Sequence, residues 1–150
     1  MMRDAPLSLT PAHIPAVTAL EAHLFERPMT PDSLTVLAAG AAFRGWVLTE
    51  GADVTAYLLM HVQGEEGEIL SVGTAPAYQR RGLARLLLQN AQDQLRPEGV
   101  TQLFLEVAVD NVPACSLYER MDFVSVGRRR DYYQRATGRC DAVVMRCDLY

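Results

Sequence analysis

The sequence contains no lysine and no long hydrophobic run, and each shortage excludes a class of protein. All 14 basic residues are arginines, which excludes the lysine-dependent phosphate loop Gly-x-x-x-x-Gly-Lys-Ser/Thr. The longest apolar run, residues 36–43, has 8 residues with a glycine inside, whereas a membrane-spanning helix needs about 20. Isoleucine occurs only twice beside many Leu, Ala and Val residues. A GC-rich genome is therefore the preferred explanation of the missing lysine, and a functional reason is the alternative.

Cysteine and histidine are scarce as well. The three cysteines, Cys115, Cys140 and Cys147, are odd in number and lack the spacing of metal ligands. The three histidines form no His-x-His or His-x-x-x-His pair, so no metal site is predicted. Prolines interrupt the N-terminal segment, which does not lead into the apolar stretch of a signal peptide. We therefore expect free core thiols in a cytoplasmic protein.

The composition is that of an ordinary folded domain. Of the 150 residues, 49% are hydrophobic and 21% are charged, which excludes a disordered chain, a collagen-like chain and a disulfide miniprotein. This length favours one domain, residues 1–150. The net charge of −4 excludes a basic nucleic-acid coat. We expect a monomer that binds neither nucleic acid directly nor a membrane.

Hydrophobic periodicity predicts the element order β-α-α-β-β-β-α-β-α-β-β. Strands are expected over residues 5–9, 43–48, 54–62, 68–74, 103–109, 123–129 and 142–149. Helices are expected over residues 10–25, 30–39, 81–95 and 112–121, with Asn111 as the cap of the last. Hairpins in the first half and a βαβ crossover in the second predict an α/β protein with a mixed sheet and helices on both faces.

The segment from Val72 to Ala84 is typical of an anion-binding site. A strand runs into a proline-broken loop, then a glycine, then a helix, whose first N–H groups and dipole attract negative charge. Gly82 allows close backbone approach, and Ala84 keeps the first turn narrow. The arginines beside them are Arg80, Arg81 and Arg85. These features suit a pyrophosphate, and an ordinary strand-to-helix turn with solvated arginines is the alternative.

The same segment resembles motif A of a known superfamily. Thr74-Ala75-Pro76, followed by Gln79, Gly82 and Ala84, fits the pattern V-x-P-x-x-Q/R-x-x-G-x-G/A, with Thr74 in place of valine. Residues 72–88 are therefore similar to the GNAT acyltransferases, which are acetyl-CoA-dependent N-acetyltransferases. The similarity continues through motif B, residues 111–123, and extends from Ile69 to the end of the chain. It implies the GNAT fold, a mixed and mostly antiparallel sheet of six to seven strands with helices on both faces.

Within the superfamily, the sequence looks most like the RimI group of ribosomal-protein-alanine N-acetyltransferases. The matching segments are residues 105–107, 110–111, 117–119, 123, 128–133 and 141–145. Three positions depart from that group's pattern. Asp122 stands where glycine is usual, Asp110 replaces a common serine, and no tryptophan occurs near Met29. Asp tolerates a left-handed backbone, so the helix end is expected to survive at Asp122.

The resemblance implies where the cosubstrate, acetyl-CoA, lies. Val72, Gly73 and Thr74 are expected to bind its pantetheine arm by strand-like hydrogen bonds. The residues expected at the pyrophosphate are Arg80, Arg81, Gly82, Leu83, Ala84 and Arg85. Asn111 is expected on the far side of the arm, and a plain helix cap is its alternative role.

Two side chains are candidates for acid–base catalysis. Glu106 lies in an apolar strand, where a carboxylate is costly to ionise, so a raised pKa is expected and suits a general base. The alternative is a strand glutamate that faces solvent or an arginine. Tyr118, 12 residues later on the inner face of a helix, is expected to protonate the departing thiolate. A core tyrosine is the alternative.

The function implied by the resemblance is acetyl transfer to the α-amine of a protein N-terminus. The specific acceptor it implies is the N-terminal alanine of small-subunit ribosomal protein eighteen. A free α-amine has a pKa of about 8, against about 10.4 for lysine, so a weaker base is enough to deprotonate it. Acetylation of a small amine or antibiotic is one alternative. A coenzyme A-binding module without catalysis is the other.

Overall fold

The computed structural model describes residues 5–150, and residues 1–4 of the N-terminal segment discussed above lie outside it. The strands are β1 (Leu7–Ser8), β2 (Phe43–Glu50), β3 (Asp53–Gln63), β4 (Glu66–Thr74), β5 (Gln102–Ala108), β6 (Val124–Arg135) and β7 (Gly138–Asp148). The helices are α1 (Ile14–Leu24), α2 (Pro31–Ala38), α3 (Leu83–Leu95) and α4 (Val112–Arg120). Their order along the chain is the predicted one.

All seven strands form one sheet in the order β1-β2-β3-β4-β5-β7-β6. Every neighbouring pair is antiparallel except β4 and β5, which run parallel. These two strands pair only from Glu66↔Gln102 to Glu68↔Phe104. Beyond that point they separate, so the sheet has an opening between Ile69–Thr74 and Leu105–Ala108. The predicted mixed, mostly antiparallel sheet is confirmed.

Helices cover both faces of the sheet, as predicted. On one face, a large apolar cluster joins α3 and α4 to strand residues such as Leu58, Met60 and Leu105. On the other, a smaller cluster joins α1 and α2 to Val47, Tyr57 and Leu59. Side chains alternate between faces along a strand, so the β3 sequence supplies both clusters. We refer to these as the α3/α4 face and the α1/α2 face.

The start of α3 differs from the sequence prediction. The helix begins at Leu83, two positions later than expected, because Arg80 and Gly82 have positive φ angles of 65° and 75°. A left-handed residue cannot belong to a right-handed helix. Arg81 and Gly82 are therefore part of the preceding loop. The predicted cap of α4 is confirmed, since the Asn111 side chain accepts a hydrogen bond from the Ala114 N–H at 3.3 Å.

The last two strands are longer than predicted. β6 continues to Arg135 and β7 begins at Gly138, which makes a long hairpin where the sequence indicated two short strands. A bulge with Asp131 at φ 53° interrupts the pairing. Asp141 stabilises it by accepting hydrogen bonds from the Asp131 N–H at 2.8 Å and from Arg128 at 2.7 Å. Arg128 and Arg129 thus lie in a paired part of β6, and Arg130 lies in the bulge.

Three further findings concern the described part of the chain. Within residues 5–150, no helix has the length and apolarity that a membrane crossing demands. No group of three or more Cys, His, Asp and Glu side chains comes together there in a metal-binding arrangement. Cys115, Cys140 and Cys147 are free thiols, and Cys147 is buried while the other two are half-buried.

Candidate active site

A cavity of about 1010 Å³ occupies the opening between β4 and β5. Its walls come from both strands, from α4, from the α1–α2 loop and from the end of β6. Four of the residues singled out in the sequence line it: Val72, Glu106, Asn111 and Tyr118. We call this cavity the cleft. The residues of the predicted pyrophosphate site are not among its lining residues.

The cleft passes through the sheet and joins its two faces. Glu106 alternates with Leu105 and Val107, which pack on the α3/α4 face, so its side chain points to the α1/α2 face. Tyr118 belongs to α4 and therefore enters from the opposite face. A ligand that reaches both residues has to pass through the opening. Two molecules entering from opposite faces can meet there.

Tyr118 lies at the bottom of the cleft and is 5% exposed. Its ring packs edge-on against Phe123, with the ring centroids 5.6 Å apart. Burial raises the pKa of the Tyr118 hydroxyl well above its ordinary value, and Tyr133 and Cys115 raise it further. The hydroxyl therefore keeps its proton at neutral pH, the state in which a tyrosine can act as a general acid.

Glu106 is not an isolated carboxylate in an apolar strand. The Arg129 side chain lies 3.0 Å from the Glu106 carboxylate, whose side chain is 19% exposed. The nearby Glu106 charge raises the pKa of Tyr132, and burial followed by Glu106 raises that of Tyr133 to about 12. Tyr133 donates to the Glu106 carbonyl oxygen at 3.2 Å. The carboxylate thus lies beside a cation and two protonated phenols.

One edge of β4 is unpaired along the cleft. From Ala56↔Thr74 onward β3 covers the other edge, but β5 has already separated from Val72, Gly73 and Thr74. An unpaired strand edge binds extended, peptide-like groups by main-chain hydrogen bonds. Packing also favours glycine at position 73, because a Cβ there would lie 2.6 Å from the Tyr57 hydroxyl.

The loop from β4 to α3 has the features of an anion site. Arg80, Arg81 and Arg85 are exposed, and none of the ion pairs found within residues 5–150 includes them. Arg81 lies over the Tyr78 ring, 5.1 Å from its centroid. The left-handed Gly82 turns the chain directly into the first N–H groups of α3. Positive charge and unpaired donors therefore meet at this corner.

Glu21 is the site residue that sequence reasoning missed. It lines the cleft from α1 and is 4% exposed. Its carboxylate accepts hydrogen bonds from Tyr57, from Ser71 at 2.7 Å and from the Met29 N–H at 3.2 Å. The available signal was its position on the apolar side of α1, four residues after Val17. A glutamate on the apolar side of a helix is expected to be buried only if hydrogen-bond or charge partners accompany it.

The α1–α2 loop closes one side of the cleft. The Arg27 side chain donates a hydrogen bond to Gln134 near the end of β6. Tyr132 and Tyr133 of β6 also line the cleft. The loop and the β6–β7 hairpin therefore surround its mouth on the α1/α2 face.

Comparisons with known proteins agree on the family. The model of the acetyltransferase (GNAT) family matches residues 14–123. The chain is 34% identical over 142 residues to the ribosomal protein bS18-alanine N-acetyltransferase of Escherichia coli K12, covering 92% of this chain and 93% of that protein. It is 46% identical over 83 residues to N-alpha-acetyltransferase RimI of Mycobacterium tuberculosis, covering 55% of this chain and 49% of that protein.

Solved structures support the same assignment. The crystal structure of the ribosomal-protein-S18-alanine N-acetyltransferase from Escherichia coli superposes with a TM-score of 0.92 at 30% identity, covering 99% of this chain and 94% of that one. Arabidopsis thaliana NAA60 in complex with acetyl-CoA shares the fold, with a TM-score of 0.85 at 17% identity over 96% of this chain and 97% of that one. The chain belongs to the GNAT family of acetyltransferases.

Proposed function

We propose that this protein transfers an acetyl group from acetyl-CoA to the N-terminal α-amine of a protein, with the N-terminal alanine of ribosomal protein bS18 as the specific acceptor. The observation that carries the proposal is the cleft, which brings Val72, Glu106, Asn111 and Tyr118 together across the sheet. The acceptor follows from the similarity to the Escherichia coli bS18 enzyme. Other members of a fold take other acceptors, so the acceptor needs its own test.

The α3/α4 face and the end of β4 supply the acetyl-CoA site in this proposal. The unpaired edge at Val72, Gly73 and Thr74 binds the pantetheine arm, and Asn111 lies across the cleft from it. The pyrophosphate is held by the loop and first turn of α3, which comprise Arg80, Arg81, Gly82, Leu83, Ala84 and Arg85. Backbone N–H groups near residues 72–74 polarise the thioester carbonyl.

The acceptor enters from the α1/α2 face. Its route is lined by the α1–α2 loop and by Tyr132, Tyr133 and Gln134 of β6. A second cavity of about 270 Å³ on this face also reaches Glu106. An extended chain terminus fits such a passage because only its first residue has to reach the centre of the sheet.

Glu106 and Tyr118 divide the proton transfers between them. Glu106 accepts the proton that the amine loses as its nitrogen bonds to the acetyl carbon, either directly or through a water. Tyr118 donates its proton to sulfur as the carbon–sulfur bond breaks, and its raised pKa keeps that proton available. General acid and base groups each contribute about 10²–10⁴-fold to such reactions.

A thiol-release assay with acetyl-CoA tests the proposal. Three acceptors are compared: a peptide with the bS18 N-terminal sequence, a peptide with a blocked N-terminus and an internal lysine, and a polyamine. Turnover with the first alone is expected, and it should fall at least tenfold in Glu106→Gln and Tyr118→Phe. Preference for the polyamine would support a small-amine enzyme, and cofactor binding without turnover would indicate a binding module.

A further inference from the structure

Glu21 is a buried charge that the reaction steps above do not use. Among residues 5–150 it is the only Asp, Glu, Arg or His side chain that is buried. Burying an ion costs several kcal/mol unless a partner balances its charge. Most proteins place an arginine or lysine against such a carboxylate.

The hydrogen-bond donors around Glu21 are all neutral. Tyr57 and Ser71 donate to Oε2, and the Met29 N–H donates to Oε1. Burial, followed by this hydrogen bond to Glu21, raises the pKa of Tyr57, so its hydroxyl remains a donor. Within residues 5–150, no arginine or histidine nitrogen lies within ion-pair distance of Glu21. The three donors stabilise the anion but leave its charge without a counter-ion.

The Glu21 carboxylate retains room for one more donor. A carboxylate offers about four lone-pair sites, and three are taken. Oε1 has a single protein donor, at 3.2 Å, and Glu21 borders the cleft. A donor that reaches it therefore comes from whatever enters the cleft.

Glu21 and Glu106 act on the same side of the opening. Ser71, which contacts Glu21, pairs with Leu59, whose side chain packs on the α1/α2 face. Glu106 points to that face too, from the opposite edge of the opening. The charge of Glu106 already has Arg129 at 3.0 Å. Of these two carboxylates, Glu106 has a cation beside it and Glu21 has none within residues 5–150.

We propose that Glu21 binds the positively charged α-ammonium group of the acceptor, which supplies the missing counter-ion. This inference rests on the proposed function, since it assigns a residue to the acceptor of that reaction. An α-amine has a pKa of about 8, so the acceptor arrives mainly as the ammonium ion near pH 7. Glu21 then selects free chain termini over blocked or neutral ones. The bound ammonium first releases one proton to solvent, and Glu106 accepts the second proton as the nitrogen bonds to the acetyl carbon.

Equilibrium binding separates this role from turnover. The protein is saturated with coenzyme A, which has no acetyl group to transfer, and titrated calorimetrically with two peptides. One begins with alanine, and the other begins with a propionyl group, which has the same carbon skeleton without the nitrogen. Wild-type protein should bind the first roughly ten- to a hundredfold more tightly, as expected for a charged hydrogen bond. Equal affinities would overturn the proposal.

Matched variants assign the preference to Glu21. Glu21→Gln, which keeps the size and an acceptor oxygen, should lose most of the preference and raise the KM for peptide without raising the KM for acetyl-CoA. Glu26→Gln, which removes an exposed carboxylate at the same cleft, should keep the preference. Ser71→Ala removes one hydrogen-bond donor to Glu21 but not the charge of the Glu21 carboxylate. This variant should therefore keep most of the preference for the alanine peptide. A preference that survives in a folded Glu21→Gln protein contradicts the proposal.

Turnover distinguishes failure of this inference from failure of the proposed function. If wild-type protein releases no thiol with the alanine peptide, the proposed function fails. If it turns over normally while Glu21→Gln retains the peptide preference, only the role of Glu21 fails. Should Glu21→Gln not fold, equal affinities of wild-type protein for the two peptides would still overturn the proposal, because that comparison needs no variant.

Discussion

Single residues in this protein serve packing and chemistry together, and Gly73 is the clearest case. It lies on the strand edge assigned to the pantetheine arm, yet its missing Cβ is what admits the Tyr57 ring. That ring is held by Glu21, so Gly73 supports the acceptor side of the cleft as well. The family resemblance alone would explain the glycine at this position by contact with the cofactor. The structure also explains it by packing, because the Tyr57 ring occupies the space that a Cβ would need.

Gly73→Ala should destabilise the protein because the added methyl group would lie 2.6–2.7 Å from Tyr57. Such overpacking costs about 1–3 kcal/mol. The measurement is the free energy of unfolding by urea. Gly127→Ala is the control, since a Cβ there has its nearest neighbour in Val144 at 3.7 Å. Equal stabilities of the two variants would contradict the packing role.

Tyr118 provides a test by pH. Its pKa is raised by burial, and a phenol with a raised pKa keeps its proton throughout the range below its ordinary value of about 10. Tyr118→Phe should therefore lower kcat by about 10²-fold or more, and by the same factor at pH 7 and pH 9.5. The measurement is kcat for both proteins with saturating substrates. A factor that shrinks as the pH rises would contradict the raised pKa, and equal kcat values of the two proteins at pH 7 would contradict the acid role.

At the scale of elements, the sequence predicted most of what positions the site. Apolar periodicity found every helix and strand, and Asn111 and Thr30 have the cap hydrogen bonds that their residue types favour. Asp122 has a φ of 68°, as expected for a residue replacing glycine at a helix end. These features depend on local interactions, which a single sequence contains.

The sequence predictions fall short where contacts between distant segments of the chain determine the structure. The bulged strand around Asp131 is held by Asp141, which lies ten positions away, and the sequence indicated only two short strands there. An arginine beside Glu106 was only the alternative prediction, because its partner, Arg129, is supplied by another strand. Glu21 was missed for the same reason, since its donors come from three different segments. Motif spacing does not reveal such contacts.

Asn111 has two proposed roles that variants can separate. Asn111→Ala should lower the free energy of unfolding by about 1 kcal/mol through loss of the α4 cap, whereas Asn111→Ser, which also caps helices, should change it little. Both variants should weaken acetyl-CoA binding if the amide contacts the pantetheine arm. The measurements are urea unfolding and calorimetric titration with acetyl-CoA. Wild-type affinity in Asn111→Ser would limit this residue to its cap.

At the scale of the whole molecule, charge is distributed according to the two entrances of the cleft. The net charge is −4, yet the corner at the start of α3 has three exposed arginines without ion pairs among the described residues. The cleft lining instead has four carboxylates, Glu21, Glu26, Glu106 and Asp110, and two arginines, Arg27 and Arg135. A polyanion is thereby favoured at the start of α3 and a cationic terminus in the cleft.

This separation predicts that acetyl-CoA binding depends on salt. Exposed charges are screened over about 10 Å at 0.1 M salt, so raising salt from 0.05 to 0.5 M should weaken binding several-fold. Replacing Arg80, Arg81 and Arg85 together by glutamine should weaken binding at low salt and remove most of that dependence. Arg139→Gln, an exposed arginine on the β6–β7 hairpin, is the control and should behave as wild type.

Thermal unfolding measures acetyl-CoA binding and its salt dependence without an assay of turnover. A ligand at 100 times its Kd stabilises the folded state by about 2.7 kcal/mol, so acetyl-CoA should raise the Tm of wild-type protein, and less so at 0.5 M salt. In the variant that lacks all three arginines, the rise in Tm at low salt should approach the rise that wild-type protein shows at high salt. If the triple variant and wild type respond alike at both salt concentrations, the three arginines do not hold the pyrophosphate. The main-chain N–H groups at the start of α3 would then be the donors left at this site.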